Sequence, residues 1–162
     1  MQVRRVRAKD AQREDEVTML QIRRILVPTD FSDAAEQALR YAVDLATKLG
    51  AEIHLVHAWQ LSAYASPTSD LAKGMERDLS RDLAAVAQRY GAHGVTVHRH
   101  LRMGVPYVEI VEAAKDLGCD LVVIGTTGKT GLEHFLLGSV AERIVRTSEQ
   151  PVLTVRYKPA AP

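Results

Sequence analysis

The sequence predicts an α/β fold, a single doubly wound sheet of five parallel strands in the order 3-2-1-4-5 with helices on both faces. Two observations lead to this prediction. From Arg23 onward, short apolar runs alternate with segments in which apolar residues recur at helical spacing. Polar loops follow the first and the fourth of these runs, and this strand order makes the two loops neighbours at the edge where such sheets bind ligands.

The first predicted strand is "RRILVP", residues 23–28, a short apolar run suited to a buried position. The helix that follows has Ser32 or Asp33 as its N-cap and ends at Gly50. Its apolar face comprises Ala35, Ala38, Leu39, Ala42, Val43, Ala46 and Leu49. "EIHLVHAW", residues 52–59, is the second predicted strand, so these segments form a βαβ unit with a right-handed crossover.

The middle of the chain repeats this alternation. After a loop rich in serine, alanine and proline, a second helix is predicted, broken by Gly91 and Gly94. One face of it carries Leu71, Met75, Leu79, Leu83, Val86 and Tyr90. "VTVHRHL", residues 95–101, is the third predicted strand. Pro106 opens a third helix and Gly118 closes it.

The last three predicted elements are the strand "CDLVVIG" (119–125), the helix "SVAERIVRTS" (139–148) and the strand "PVLTVR" (151–156). In the order 3-2-1-4-5 the final strand lies at an edge of the sheet. An edge strand has a row of unpaired N–H and C=O groups, which a second copy of the chain can satisfy. We therefore expect a homodimer formed through Val152–Val155.

Composition excludes several classes of protein. The first twenty residues are rich in charge and have little to bury, so they are predicted to be a solvated extension of a domain spanning 21–158, with 159–162 as a tail. Lysine and arginine total 21 against 20 acids, a balance that does not indicate binding to nucleic acid. No apolar run approaches the roughly 18 residues of a membrane span. The single cysteine, Cys119, is interpreted as a core residue, and the expected location is the cytoplasm.

The loop after the fourth strand, "GTTGKT", is similar to a Walker phosphate loop but has the wrong spacing. A Walker loop needs four residues between its first glycine and the Gly-Lys pair, whereas two threonines separate Gly125 from Gly128 and Lys129. The position for an earlier glycine holds Val123. Gly131 also interrupts the helix that should follow. The segment is therefore not a Walker loop.

The glycines have a different spacing, in which Gly125 and Gly128 are separated by two residues, and Gly138-Ser139 follow after nine more. Gly125 would let a ligand approach the strand backbone, and Gly128 would allow a positive φ that aims amides at an anion. Gly138 and Ser139 precede a helix, whose first N–H groups favour phosphate. The alternative left open by spacing alone is a flexible loop with a helix cap at Ser139.

The histidines give a weaker signal. His98 and His100 lie two residues apart and could share a metal ion, but no cysteine or acid at ligand spacing joins them, so a solvated strand face is favoured. His54 and His57 fall on opposite faces of a buried strand. His134 lies within the glycine loop, where exposure is favoured over contact with a ligand. No metal site and no catalytic motif is predicted.

Several segments together resemble the universal stress protein family. They are "ILVPTDFSDAAEQAL", "LVHAW", "GVPYVEIVEAA", "GCDLVVIGTTGKTG" and "LLGSVAERIVRTSEQPVLTV", and the resemblance covers residues 23–156. It implies an adenine-nucleotide-alpha-hydrolase-like sheet and the same dimer through the last strand. The pattern Gly-x2-Gly-x9-Gly-Ser is similar to that of the family's ATP-binding branch, in which this motif holds ribose and phosphates.

The resemblance also implies a set of binding residues. Asp30 matches the acid near the nucleoside, and Ala58 matches a position whose backbone contacts adenine. Thr127 departs from the family, which often has His or Arg there, and Lys129 either reaches the phosphates or is solvated. The whole expected set is Pro28, Thr29, Asp30, Ala58, Ile124, Gly125, Thr127, Gly128, Lys129, Gly138, Ser139 and Val140.

The expected function is that of an ATP-binding regulatory module of the stress response, with a divalent cation (Mg²⁺ or Mn²⁺) beside the nucleotide. One alternative is a slow ATPase or phosphotransferase, which lacks a general base and a metal-binding acid near the phosphates in the sequence. Another is an interaction protein that binds no nucleotide, against which the intact glycine spacing argues. We therefore expect no enzymatic activity beyond weak hydrolysis.

Overall fold

A computed structural model describes residues 21–62, 64, 66–126 and 137–157. The elements are β1 (Arg24–Pro28), α1 (Asp33–Leu49), β2 (Glu52–Trp59), α2 (Asp70–Gly91), β3 (Val97–Met103), α3 (Pro106–Asp116), β4 (Leu121–Gly125), α4 (Ser139–Thr147) and β5 (Val152–Val155). The predicted extension 1–20, the tail 159–162 and the loop residues Thr127, Gly128 and Lys129 lie outside the described residues, as does His134.

The five strands form one parallel sheet in the order β3-β2-β1-β4-β5, which confirms the predicted fold class. From β1 the chain moves outward to β2 and β3, and then returns to pair β4 with the other side of β1. The direction of winding therefore reverses between β1 and β4. At such a reversal the loops leaving the two strands diverge to opposite faces and leave a crevice at the carboxyl ends.

Residues of the strands alternate between two apolar layers. Ile25, Ile53 and Val123 face α1 and α2, where they pack with the alanine-rich side of α1. Leu26 and Val122 face the opposite side, with buried residues of α3 and α4. Helices on both faces thus bury both sides of the central strands, as nearly continuous apolar strands of a parallel sheet require.

The helix ends match the capping residues in the sequence. Ser32 is the N-cap of α1, where its hydroxyl oxygen accepts the N–H of Ala35 at 3.2 Å. Gly50 ends α1 with φ of 67°, a left-handed conformation that favours glycine. Pro106 begins α3, and Gly118 follows it with φ of 59°. These ends fix where β2 and β4 begin.

The apolar face predicted for α2 is partly wrong. Leu83 and Tyr90 are buried as expected, but Leu71 is 66% exposed and Met75 is 39% exposed. At 22 residues α2 is about 33 Å long, which exceeds the length of the strands beneath it, so its first turns have little sheet to pack against. Among the described residues, neither α2 nor any other helix is long and apolar enough to cross a membrane.

The edge strand β5 bonds to β4 through alternate residues. The carbonyls of Pro151 and Val155 accept the N–H groups of Val122 and Thr126, each at 3.0 Å. Because successive residues of a strand point their backbone groups to opposite sides, the N–H and C=O of Thr154 point away from β4. The homodimer through β5 stays a prediction, and the N–H of Thr154 is the backbone group by which it can be tested.

Candidate functional site

A cavity of about 340 Å³ opens at the carboxyl ends of β1, β2 and β4, in the crevice created by the reversal of winding. It is lined by every predicted binding residue that the structure describes. These residues are Pro28, Thr29, Asp30, Ala58, Ile124, Gly125, Gly138, Ser139 and Val140. Thr127, Gly128 and Lys129 are outside the described residues. Positions that are far apart in the sequence thus converge on one cavity.

The turn after β1 is held in a defined conformation. The Thr29 N–H donates to the carbonyl of Val56 at 2.8 Å, which extends the pairing of β1 and β2 by one residue. The Thr29 hydroxyl oxygen accepts the Phe31 N–H at 3.0 Å, and Asp30 Oδ1 accepts the Ser32 N–H at 3.0 Å. Phe31 has a positive φ of 62°, which is uncommon for a non-glycine residue. Such a conformation persists only where surrounding contacts enforce it, so the backbone at Asp30 is fixed.

His57 supports this turn from the neighbouring strand. Its Nδ1 lies 2.7 Å from the carbonyl oxygen of Thr29, and because a carbonyl only accepts, Nδ1 carries the proton. The His57 side chain is buried, and its ring centroid lies 4.6 Å from that of Phe31. His57 therefore positions the cavity wall, a role that the sequence indicated only by its place in a buried strand.

Gly125 is required by packing as well as by its place in the cavity wall. A Cβ atom at Gly125 would lie 2.8 Å from the carbonyl oxygen of Ala34, in the first turn of α1. The missing side chain therefore allows α1 to approach β4, and does not only open the backbone to a ligand. The reason inferred from the sequence was incomplete, because the position of α1 relative to β4 is a tertiary feature.

The N-terminus of α4 closes the other side of the cavity. Gly138 is the N-cap and Ser139 is the first helical residue, so the alternative that placed the cap at Ser139 is one residue off. No described side chain caps α4, whereas serine hydroxyls cap α1 and α2. The Gly138 N–H donates to the Thr126 carbonyl at 2.7 Å and joins the two ends of the glycine loop. The uncapped first turn of α4 leaves backbone N–H groups for an anion.

Part of the cavity wall was not anticipated from the sequence. The additional lining residues are Ala35, Pro106, Ile110, Thr126 and Ala141. Ile110 and Pro106 lie one turn apart on α3, which brings an apolar surface opposite Ala58. A proline that opens a helix, with an apolar residue four positions later, was visible in the sequence. The sequence did not show that the start of α3 packs over β2.

The described part of the cavity lining carries little charge. Asp30 is the only ionisable side chain among the described residues that line the cavity, and its Oδ1 accepts the Ser32 N–H. A phosphoryl-transfer site needs groups that orient the nucleophile and stabilise the charge of the transferred group. The described lining instead combines apolar surface, backbone N–H groups and hydroxyls.

A larger depression of about 880 Å³ lies at the opposite, amino-terminal ends of the strands. It contains none of the predicted binding residues. Asp120 Oδ2 accepts the backbone N–H groups of Arg23 and Arg24, and the Arg24 side chain donates to Glu52 and to the Leu117 carbonyl. These polar groups hold the start of β1 in place.

The His98 side chain is 44% exposed, as predicted for a solvated strand face, but the expectation that no acid joins the histidines is wrong. Pairing of β2 with β3 places His54 opposite His98, and Glu52 Oε2 lies 3.1 Å from His98 Nε2. An acid therefore does join the histidines, from the neighbouring strand. His100 is half-buried, with its Nε2 3.0 Å from His54 Nδ1. The register between two strands cannot be read from one of them, which is why the sequence did not show this cluster.

Comparison with known proteins agrees with this architecture. Universal stress protein MJ0531 of Methanocaldococcus jannaschii is 37% identical over 142 residues, covering 83% of this chain and 82% of that protein. The solved structure of MJ0577 from the same organism superposes with a TM-score of 0.75 at 30% identity, over 86% of this chain and 99% of that one. A universal stress protein solved in complex with cAMP superposes with a TM-score of 0.68 at 27% identity, over 83% and 97%.

The family model described as "Universal stress protein family" matches residues 21–156, which include every described strand and helix. The resemblance found in the sequence is thereby confirmed over nearly the same span. With a matching family model, a relative above 30% identity and the predicted strand order, the chain belongs to the universal stress protein family.

Proposed function

We propose that this protein is an ATP-binding regulatory module of the stress response, and that ATP binds in the cavity at the carboxyl ends of β1, β2 and β4. The convergence of the predicted binding residues on that cavity carries the proposal. A volume of about 340 Å³ lies at the lower end of the range for small-molecule sites, roughly 300–1,000 Å³. It suits a nucleoside, with the phosphates extending toward the glycine loop.

The two ends of the cavity suit the two ends of the nucleotide. Adenine would lie on the apolar side, near Ala58 and Ile110, and Asp30 would accept a hydrogen bond from the nucleoside. The phosphates would meet the start of α4, where the hydroxyl of Ser139 and uncapped backbone N–H groups act as donors. A divalent cation, Mg²⁺ or Mn²⁺, would be held mainly by phosphate oxygens and water, as Mg²⁺ usually is.

The solved relative supports an adenine nucleotide over other anions. That protein, with the same fold and 27% identity, was crystallised with cAMP. Because cAMP, AMP and ATP share the adenosine group, the apolar half of the cavity would accept all three. Discrimination then depends on the phosphate side, where a triphosphate offers more oxygens to the glycine loop than a monophosphate does.

Binding without rapid hydrolysis follows from the described lining. Asp30 lies on the nucleoside side in this proposal, so it is not placed to orient water at the γ-phosphate. A nucleotide held without turnover can report its own concentration through the conformation of the loop that contacts it. We place this module in the cytoplasm, where ATP is available.

Native mass spectrometry of the purified protein, followed by calorimetric titration with ATP, AMP and cAMP, tests the proposal. We expect bound adenine nucleotide at one molecule per chain, and tighter binding of ATP than of AMP in the presence of Mg²⁺. Absence of binding by all three nucleotides at millimolar concentration would favour the nucleotide-free interaction protein. Steady turnover that persists through repurification would favour the ATPase.

A further inference from the structure

A cluster of three histidines and one glutamate lies on the β2–β3 pair, away from the nucleotide cavity. The histidine cluster, as it is called below, consists of Glu52, His54, His98 and His100. Glu52 begins β2, whereas Ala58 lies near its carboxyl end, six positions further along the strand and about 20 Å away. The cluster therefore has no part in the nucleotide site.

The geometry of three of these residues matches a coordination site. One potential ligand atom from each of Glu52, His54 and His98 lies within 4.8 Å of the other two. The Nε2 atoms of His54 and His98 lie 3.2 and 3.1 Å from the two carboxylate oxygens of Glu52. In a tetrahedral zinc site with bonds of roughly 2.0–2.1 Å, neighbouring ligand atoms are about 3.3 Å apart. The three ligand atoms lie within 4.8 Å of one another, so they would have to draw together around an ion.

His100 contacts the ring nitrogen of His54 that does not face Glu52. Its Nε2 lies 3.0 Å from His54 Nδ1, so one of the two nitrogens donates to the other. In one tautomer of His54, Nε2–H donates to Glu52 and Nδ1 accepts from His100; in the other, Nδ1–H donates to His100 and the Nε2 lone pair points toward the Glu52 carboxylate. An ion would bind the second tautomer and take the place of the proton between Nε2 and Glu52. A metal-binding histidine is commonly oriented in this way by a partner on its other nitrogen.

The positive charge of Arg24 opposes a cation at this cluster. Its Nε donates to Glu52 Oε1 at 3.1 Å, and its side chain is 51% exposed. His54 Nε2 lies beside the same Oε1, so an ion between them would compete with this contact, whereas Oε2 lies beside His98 and does not contact Arg24. Its positive charge therefore weakens the site without blocking it.

We propose that the histidine cluster binds a divalent transition-metal ion of the zinc type, with Glu52, His54 and His98 as ligands and His100 as the residue that positions His54. Imidazole together with carboxylate is a ligand set typical of zinc. The side chains of His98 and Glu52 are 44% and 34% exposed, which leaves room for water as a fourth ligand. The ion would join the edge strand β3 to β2.

Calorimetric titration of the full chain, freed of any affinity tag, with zinc chloride tests this site. We expect one high-affinity ion per chain, and visible absorption bands of tetrahedral cobalt when Co²⁺ replaces zinc. His98→Ala should weaken zinc binding at least tenfold. The variant should remain folded, because the His98 side chain is nearly half exposed. His100→Phe should weaken binding about tenfold through the orientation of His54. Arg24→Gln should tighten it.

The matched control is His93→Ala, which removes an exposed histidine just after α2 and should leave zinc affinity unchanged. Circular dichroism confirms that each variant is folded, and His98→Ala should bind ATP as the parent does. Two results would overturn the proposal. One is absence of zinc binding at tenfold molar excess, and the other is equal zinc affinity of the parent and His98→Ala. Either would make the cluster a hydrogen-bonded feature only.

Discussion

Gly125→Ala separates the packing role of Gly125 from a role in ligand approach. The added methyl group would lie 2.8 Å from the Ala34 carbonyl oxygen and 3.0 Å from its carbonyl carbon. Both are backbone atoms in the first turn of α1, so no flexible side chain can move aside to make room. Overpacking of this kind costs about 2 kcal/mol, within a range of roughly 1–3 kcal/mol. For a chain of this size the melting temperature should fall by about 6 °C.

Urea denaturation of the nucleotide-free protein measures this loss, and Gly74→Ala is the matched control. A Cβ atom at Gly74 meets nothing within 4 Å, and the residue lies inside α2. In a helix interior, alanine is favoured over glycine by roughly 0.5–1 kcal/mol, so the control should be stabilised. The same substitution thus has opposite signs at the two positions.

ATP affinity of Gly125→Ala should fall as well, because α1 begins just after the Thr29–Asp30 turn and any shift of its first turn moves the cavity wall. The reasoning would be refuted if the nucleotide-free Gly125→Ala protein were as stable as the parent. A loss of ATP binding without a loss of stability would assign Gly125 to ligand approach alone, as the sequence first suggested.

Three further predictions follow from the same geometry. Thr154→Pro removes an N–H that points away from β4, so it should abolish the dimer, whereas Thr154→Val keeps that N–H and should remain dimeric. Sedimentation measures the subunit count, and a dimeric proline variant would contradict pairing through β5. Burial, followed by the charges of His54, Arg102 and His98, lowers the pKa of His100 to about 4 from 6.5. As the pH falls, the unfolded chain therefore takes up a proton at this histidine before the folded protein does. The contribution of neutral His100 to the free energy of unfolding should be fully present above pH 6.5. It should fall by about 1–2 kcal/mol as the pH falls toward 4, after allowance for partial exposure. Urea denaturation should show this slope in the parent and a smaller one in His100→Asn; equal slopes would refute it. Bound ATP should survive for many minutes at neutral pH, and loop-dependent turnover of about one per second would contradict that expectation.

Local and periodic features were the part of the fold that the sequence could predict. Ser32, Gly50 and Pro106 mark helix ends by their own backbone chemistry, and the alternation of strands and helices determines the parallel sheet. The cavity residues followed from the glycine spacing together with the family resemblance. Features that depend on how two elements pack were not predictable, because the relative position of two elements cannot be inferred from the sequence of either one.

Three examples show this limit. Leu71 has the periodicity of a core residue, but the first turns of α2 extend beyond the strands that would bury it. A side chain at position 125 would collide with the backbone of Ala34, which lies ninety-one positions earlier in the chain. Glu52 and His98 meet only because β2 and β3 pair in one register. Each example depends on how distant parts of the chain pack, and the neighbouring residues in the sequence give no sign of it.

Calorimetric titration of Gly138→Val with ATP tests the central claim most directly. Gly138 has φ of −57° and ψ of 151°, a conformation open to any residue, so valine should leave the start of α4 folded. If phosphate meets the backbone there, the branched side chain should weaken ATP binding at least tenfold, about 1.4 kcal/mol. Ser139→Ala should have a smaller effect, and the effect of Lys129→Ala should shrink as salt rises. A folded Gly138→Val protein that binds ATP as tightly as the parent would contradict the nucleotide site.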